Sequence, residues 1–268
     1  MLVVAGGAMT ACYTHWVEPH WIETVERPLP IAHLPADLVG KRLVQISDLH
    51  IGQIVDDDYI ASTFAKVNTL APDLLVITGD FMSAYAHEEI GHVMQLLPAL
   101  KPGRLATVAI LGNHDYAHNW NNISVADELA GRVRDAGITL LRNEVTQIAG
   151  LTIAGTDDLW SGQFNPAVLA DLKPPEANLV LCHNPDGLDE PGWAGYGGWI
   201  LSGHTHGGQC KPPFLPAPLL PVKNRLYTRG EIALADGRRV YISRGVGHLL
   251  KVRFNCRPEI TAFTLQTA

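Results

Sequence analysis

KRLVQISDLH, residues 41–50, is an apolar run with β-branched members that stops at Asp48 and His50. A buried strand that ends in a carboxylate and an imidazole is the local sign of a ligand-binding loop outside the carboxyl end of a parallel strand. The device recurs twice. DLLVITGD (73–80) ends in Gly79-Asp80, and LATVAILGNHD (105–115) ends in Gly112-Asn113-His114-Asp115. Between the first two runs, Ile60, Phe64, Val67 and Leu70 follow helical spacing, behind acidic residues and ahead of Pro72. HEEIGHVMQLLPAL (87–100) predicts a second helix, closed by a turn at Lys101-Pro102-Gly103. Strand and helix in alternation is the pattern of βαβ units in an α/β domain. Asp48, Asp80 and Asn113 stand 32 and 33 residues apart, about one such unit each, and so converge on one sheet edge.

The second half has a different texture. VADELAGRVRDAG (125–137) predicts a helix closed by Gly137, and ITLLRNEVTQIAGLTIAGTDD (138–158) predicts two short strands around a turn. ANLVLCHNPDG (177–187) and YGGWILSGHTHGG (196–208) are again strands running into histidine-bearing loops. Residues 226–268 alternate around an Asp236-Gly237 turn and read as antiparallel strands that finish the domain. With 268 residues, 47% hydrophobic and 18% charged, the chain fills one large globular domain. Twenty Lys plus Arg against 27 Asp plus Glu give a net charge of −7, and no basic run is present, so no nucleic-acid polymer is expected as a partner. A phosphate-bearing substrate stays admissible, because bound cations invert the local field. Cys12, Cys182, Cys210 and Cys256 lack CxxC spacing and read as free thiols, Cys182 as a core residue.

Any one of the 12 histidines, taken alone, is most simply structural. The joint arrangement says more. Asp48 and His50, at i and i+2, can point the same way from an extended segment; His183 follows a fourth strand; His204 and His206 repeat the spacing after a fifth. Carboxylate, imidazole and amide at one edge match first-row divalent ions. Such a ligand set exceeds one tetrahedral site and suits two ions that share a carboxylate, for which Asp80 is the natural bridge. On that count Asp48, His50 and His206 hold one ion, and Asn113, His183 and His204 hold the other. GHTHGG (203–208) then expresses a division of labour, one histidine per metal, with flanking glycines that open the backbone geometry. A polar rim without metal leaves unexplained why charge gathers at buried strand ends.

In order along the chain, DLH, GD, GNHD, CHNPD and SGHTH resemble the calcineurin-like metallophosphoesterase pattern DxH, GD, GNH(D/E), H, GHxH, across residues 48 to 206. SDLHIG, LCHNPD, SGHTHGGQ, YISRGVG and RFNCRPEI look most like its bacterial YaeI-like and YkuE-like branch. The resemblance implies an α/β fold, a four-layer α/β/β/α sandwich of two mixed β-sheets flanked by helices, with residues 41–268 as a single catalytic domain. It implies a dinuclear metal-dependent phosphoester hydrolase, a phosphodiesterase or pyrophosphatase acting by in-line attack of a metal-bridging hydroxide. The implied cofactors are two metal ions, divalent or a di/trivalent pair, of Mn, Fe or Zn. The same ligand sets follow, with Asp80 as the bridge, and His114 resembles the nonligand histidine beside the scissile phosphate. Asp115 then either orients that imidazole or caps the next segment. The alternatives are a phosphomonoesterase of the same fold, a UDP-2,3-diacylglucosamine pyrophosphatase of lipid A synthesis like some relatives, and a non-catalytic metal-binding scaffold, which the complete ligand set disfavours.

Tyr116, Trp120 and Trp160 fall in loops near this edge and are the candidate substrate-binding aromatics, placed to stack on a base, to touch an acyl chain, or simply to pack the loops. The expected substrate is a phosphorylated small molecule or a nucleotide-linked lipid. Residues 1–40 read as an apolar segment and linker ahead of the domain. LVVAGGAMTACY (2–13) has about half the length of a bilayer crossing and lacks the basic flank of a signal peptide. HWVEPHWIETVERPLP (15–30) carries Trp16 and Trp21, suited either to a lipid interface or to packing across the domain. CKPPFLPAPLLPV (210–222), with five prolines, reads as a rigid loop packed on the core, the alternative being an apolar lip that meets lipid or a substrate tail. These features point to the cytoplasm or the periphery of the cytoplasmic membrane and leave export and oligomeric state open.

Overall fold

Alternation with a period of two divides the central strands between two cores. In Arg42–Ile46 and Leu74–Thr78, Leu43, Leu74 and Val76 enter one core, while Val44, Ile46, Leu75 and Ile77 enter another. The computed structural model describes residues 9–83, 87–172, 175–193 and 195–268. Most of the apolar stretch 2–13 therefore lies outside the described residues. The first sheet has the spatial order β1 (Glu23–Ile31), β12 (Glu259–Thr267), β2 (Arg42–Ile46), β3 (Leu74–Thr78), β4 (Ala106–Ile110) and β5 (Thr139–Leu141). From β2 to β5 the pairing is parallel; β12 runs antiparallel to β2 and carries β1 parallel to itself. The second sheet has the order β10 (Gly230–Ala233), β11 (Arg239–Ile242), β9 (Trp199–Ser202), β8 (Asn178–Leu181), β7 (Leu151–Gly155) and β6 (Glu144–Ile148). Its four inner strands are parallel and its two edges antiparallel.

The helices α1 (Asp57–Leu70), α2 (Glu89–Leu96) and α3 (Ile123–Asp135) cover the outer face of the first sheet. Leu43, Val76, Val108, Leu179, Leu201 and Phe263 fill the space between the sheets. On the outer face of the second sheet, Val180, Ile200, Val240 and Ile242 pack beneath Val168, Leu169, Trp193 and Tyr227, so the cover there consists of short 3₁₀ turns and loops. The architecture is thus the four-layer α/β sandwich of two mixed sheets, and it places the carboxyl ends of β2, β3, β4, β8 and β9 at one end.

Three expectations change. Residues 23–31 are not part of a linker, because β1 pairs along its whole length with β12, from Glu23 opposite Glu259 to Ile31 opposite Thr267. The sheet therefore begins well before residue 41. Residues 138–158 form three strands, β5 closing the first sheet before β6 and β7 open the second as a hairpin. The last third is antiparallel only at the hairpin of β10 and β11 and where β12 meets β2; β11 joins β9 in parallel. In the proline-rich stretch Ala217 is buried and Val222 packs on the outer core of the second sheet, while Phe214, Leu215 and Leu219 are exposed, so the stretch is anchored at two points and carries an apolar lip.

Candidate metal centre

Each predicted ligand sits in the first residues after a strand. Asp48 and His50 follow β2, Asp80 follows β3, Asn113 and His114 follow β4, His183 follows β8, and His204 and His206 follow β9. All are buried except His114, which is partly exposed at the mouth. Their ligand-type atoms form three overlapping groups, within each of which the atoms lie inside 4.8 Å of one another: Asp48, His50 and His206; His50, Asp80 and His114; and Asp80, His183 and His204. Asn113 joins the last group, its Oδ1 lying 2.8 Å from His204 Nδ1.

The backbone that achieves this is not extended. Asp48, His50, Asp80, His204 and His206 all have positive φ, between 49° and 70°. The i, i+2 pairs are therefore presented by left-handed kinks, held by hydrogen bonds from Asp48 N–H to Gly79 O and from His50 N–H to Asp80 O. Gly203 lets the β9 loop close on Asp48. A Cβ there would overlap Ser47 Oγ and lie 2.6 Å from Asp48 Oδ2, and the close approach allows His204 N–H to donate to Asp48 Oδ1 at 2.9 Å.

The donor set fits bound cations. His50, His183 and His204 each set one ring nitrogen against a main-chain carbonyl, of Met82, Thr78 and Pro221 at 3.2, 2.6 and 2.8 Å, which leaves the other nitrogen facing the cluster. His183 Nε2 lies 3.2 Å from Asp80 Oδ2 yet makes no hydrogen bond, and Asp48 Oδ2 is likewise buried without a partner. Burial holds His50 and His204 at about 3 and His206 well below its ordinary value, so these imidazoles keep their lone pairs. Burial also disfavours charge on His183, but Asp80, then Asp48 and Asp158, outweigh it and raise His183 to about 10. Asp48 is pushed up to about 7, by burial first and by the neighbouring Asp80 charge. Asp48 and Asp80 thus lie packed among three imidazoles that stay neutral, with His183 as the one cationic neighbour, a cluster suited to further positive charge from outside the chain.

The calcineurin-like phosphoesterase family profile matches residues 41–208, from the start of β2 through the glycines after His206. The chain belongs to this family. Phosphodiesterase YaeI of Escherichia coli (strain K12) is 33% identical over 266 residues, covering 94% of this chain and 92% of that protein. The uncharacterized metallophosphoesterase YkuE of Bacillus subtilis (strain 168) is 32% identical over 284 residues, covering 98% and 94%. UDP-2,3-diacylglucosamine pyrophosphatase LpxG of Chlamydia muridarum is 28% identical over 313 residues, covering 96% and 93%. The protein is a metallophosphoesterase, a metal-dependent phosphoester hydrolase.

Around this metallophosphoesterase centre two sequence expectations are corrected. Asp115 does not reach the His114 ring. Its carboxylate accepts the N–H groups of Asp80, Phe81, Met82 and Gly112 at 2.8–3.1 Å, so it fastens the β3 loop to the β4 loop, while His114 Nδ1 meets Ser83 O at 3.1 Å. Tyr116 is buried, donating its hydroxyl to Asp157 and accepting from Arg142 at 3.0 Å, and so cannot line a substrate surface. Trp120 and Trp160 do flank the mouth. Their rings pack at 4.6 Å, Trp160 meets His204 at 89° and 4.5 Å, and Trp120 lies 6.1 Å from His114. Sequence reasoning missed Arg253, a fully buried arginine that donates to the carbonyls of Arg244, Gly247 and Cys256 at 2.7–3.0 Å and lies 3.5 Å from His206 Nδ1. Its only signal was a lone arginine inside the apolar run VRFNC.

Proposed function

We propose that this metallophosphoesterase hydrolyses phosphodiester or pyrophosphate bonds at a dinuclear centre, with Asp48, His50 and His206 on one ion, Asn113, His183 and His204 on the other, and Asp80 between them. The observation that carries this reading is the set of overlapping ligand groups, each within 4.8 Å, that share Asp80 and His50 and leave buried donor atoms unpartnered. Bound Mn, Fe or Zn ions supply Lewis acidity at the phosphoryl oxygens and lower the pKa of coordinated water. The remaining work falls to the chain itself. His114 N–H donates to Asp80 Oδ1 at 2.9 Å, which fixes the loop, and Ser83 O holds the Nδ1 side of the ring. His114 Nε2 is thereby left to carry a proton to the departing oxygen, worth about 10² to 10⁴ in rate. Asp115 and Arg253 keep the β3, β4 and Arg244–Gly247 loops at fixed distances, so that the ligands need no reorganisation. Trp120 and Trp160, tilted 34° against each other, offer an aromatic surface beside the ligand cluster, suited to a base, an aryl group or an acyl chain.

The substrate class that suits such a mouth is a phosphorylated small molecule or a nucleotide-linked lipid. The relatives named above as a phosphodiesterase and as a UDP-2,3-diacylglucosamine pyrophosphatase support this choice over a monoester. Purified protein loaded with Mn²⁺ should turn over an aryl phosphodiester faster than the matching monoester, with about two ions per chain by elemental analysis. His114→Ala should keep both ions and lose about 10²-fold or more in kcat. Monoester preference would select the phosphomonoesterase reading, and no turnover with both ions bound would leave only a metal-binding scaffold.

A further inference from the structure

Three segments far apart in the chain, residues 9–22, 209–229 and 248–257, meet beside the metal centre. Arg253 N–H donates to Thr14 O at 2.9 Å, Cys256 N–H to Glu18 Oε1, and the Arg257 guanidinium lies 4.1 Å above the Trp21 ring. Gln209 Nε2 donates to Leu250 O and Val252 O, Lys211 N–H to Phe254 O, and Arg229 Nη1 to Asn255 O. The surface so assembled exposes large apolar side chains at separate tips: Trp16, Trp21, Phe214, Leu219, Leu226 and Leu250, each more than half exposed and Phe214 completely so.

The charge on these segments runs against the rest of the protein. They hold 7 of its 20 Lys and Arg residues but only one of its 27 Asp and Glu residues. That one acid, Glu18, is buried. Among the described residues no ion pair involves Lys211, Lys223, Arg225, Arg229 or Arg257, and the bordering Asp56 is already engaged by Lys251 at 2.7 Å and His20 at 3.4 Å. Scattered apolar tips ringed by unpaired cations, on a chain of net charge −7, match an anionic lipid surface, where the tips enter the headgroup boundary and the cations meet lipid phosphates. A second copy of the chain fits poorly, since a two-fold contact would press this basic face against itself.

The face is also tied to the chemistry. Pro221 O meets His204 Nε2 at 2.8 Å, and Cys256 Sγ lies 3.2 Å from His206 O. We propose that these three segments dock the enzyme on an anionic lipid surface and present the metal centre to amphiphilic phosphodiesters held there. The substrate half of this statement rests on the hydrolase reading above; the docking half does not.

Flotation of the full chain with vesicles tests the docking directly. The protein should float with vesicles of phosphatidylcholine mixed with phosphatidylglycerol, less so at high salt, and stay unbound with phosphatidylcholine alone. Phe214→Glu with Leu219→Glu should weaken partitioning about tenfold or more, and Lys211→Glu with Lys223→Glu should do the same. Both double variants should hydrolyse a soluble aryl phosphodiester at the native rate, which shows that they are folded. Absence of flotation for the native chain, or unchanged flotation of the Phe214 and Leu219 variant, overturns the proposal. So does a dimer in sedimentation that this variant dissolves. Native vesicle binding without any phosphodiester turnover would instead remove the hydrolase reading and leave the docking face intact.

Discussion

Replacing Gly112 by alanine adds one methyl group and no charge, at a residue whose backbone is extended and open to any side chain (φ −110°, ψ −178°). The consequence is steric. The new Cβ would overlap Asp80 Oδ1 and lie 2.7 Å from both Asp80 N and His183 Cε1, whereas ordinary contact begins at 3.4 Å. The two loops must therefore part by about 0.7 Å or more. Neither side has slack: Asp80 N–H is held by Asp115 Oδ2 at 2.9 Å, Asp80 Oδ1 by His114 N–H at 2.9 Å, and the His183 ring by Thr78 O at 2.6 Å. Metal–ligand distances tolerate about 0.2 Å, and a misplacement near 1 Å costs about 10²-fold in rate. We expect Gly112→Ala to lose about 100-fold or more in kcat/KM on an aryl phosphodiester and to hold less metal after dialysis. Its fold should weaken by only about 1–3 kcal/mol. Gly131→Ala is the control, because a Cβ there meets nothing within 4 Å and sits inside α3. It should gain about 0.5–1 kcal/mol with unchanged turnover. Native metal content and native turnover in Gly112→Ala would refute the claim that close packing around Asp80 sets the ligand geometry.

Three further outcomes follow from the same geometry. Asp80→Ala should strip both ions, whereas His206→Ala should leave a chain that retains about one, as read by elemental analysis; equal loss in the two variants would deny the bridging role. Tyr116→Phe should cost about 1–3 kcal/mol of stability, because Asp157 and Arg142 lose a buried partner. Its KM should not change, and a large rise in KM would return Tyr116 to the substrate surface. His248 is buried with neither ring nitrogen hydrogen-bonded, and burial, aided by Arg253, lowers it to about 3. The unfolded chain takes up that proton near its ordinary pH of about 6.5, so the native fold loses stability as pH falls from there toward 3. His248→Leu should flatten this loss in urea titrations at pH 5 against pH 8; an unchanged slope would clear His248 of the effect.

Much of the site was legible because its logic is local. A buried run that ends in Asp, Asn or His marks a strand end, and a βαβ spacing near 32 residues brings successive strand ends together. Tyr116 was misread for the opposite reason. Nothing within GNHDY tells whether an aromatic turns toward the mouth or toward Arg142 and Asp157, residues 26 and 41 positions away. Asp115 was ambiguous in the same way, since the four N–H groups it serves belong to two loops. The strand β1 escaped notice because its partner, β12, lies at the other end of the chain and because Pro28 and Pro30 argue against an inner strand. Both prolines are tolerated because β1 is the edge of its sheet. The basic face was invisible for a related reason: its seven cations come from two segments, with no run dense enough to register.

The division of labour proposed for His204 and His206 shows how far spacing alone can carry an inference. On an extended strand, residues at i and i+2 point the same way, which would aim both rings at one ion. The structure separates them instead, grouping His204 with Asp80 and His183, and His206 with Asp48 and His50. What separates them is conformation: both residues, and Gly207 and Gly208 after them, have positive φ, and the chain turns sharply between the rings. A left-handed residue other than glycine costs about 1–2 kcal/mol, and five of the seven proposed ligands carry that cost. A merely structural polar rim would gain nothing in return, because the same cluster also leaves Asp48 Oδ2 and His183 Nε2 buried and unpaired. Cations bound between the loops would give both atoms a partner, and that gain would offset the strain of the backbone that presents the ligands.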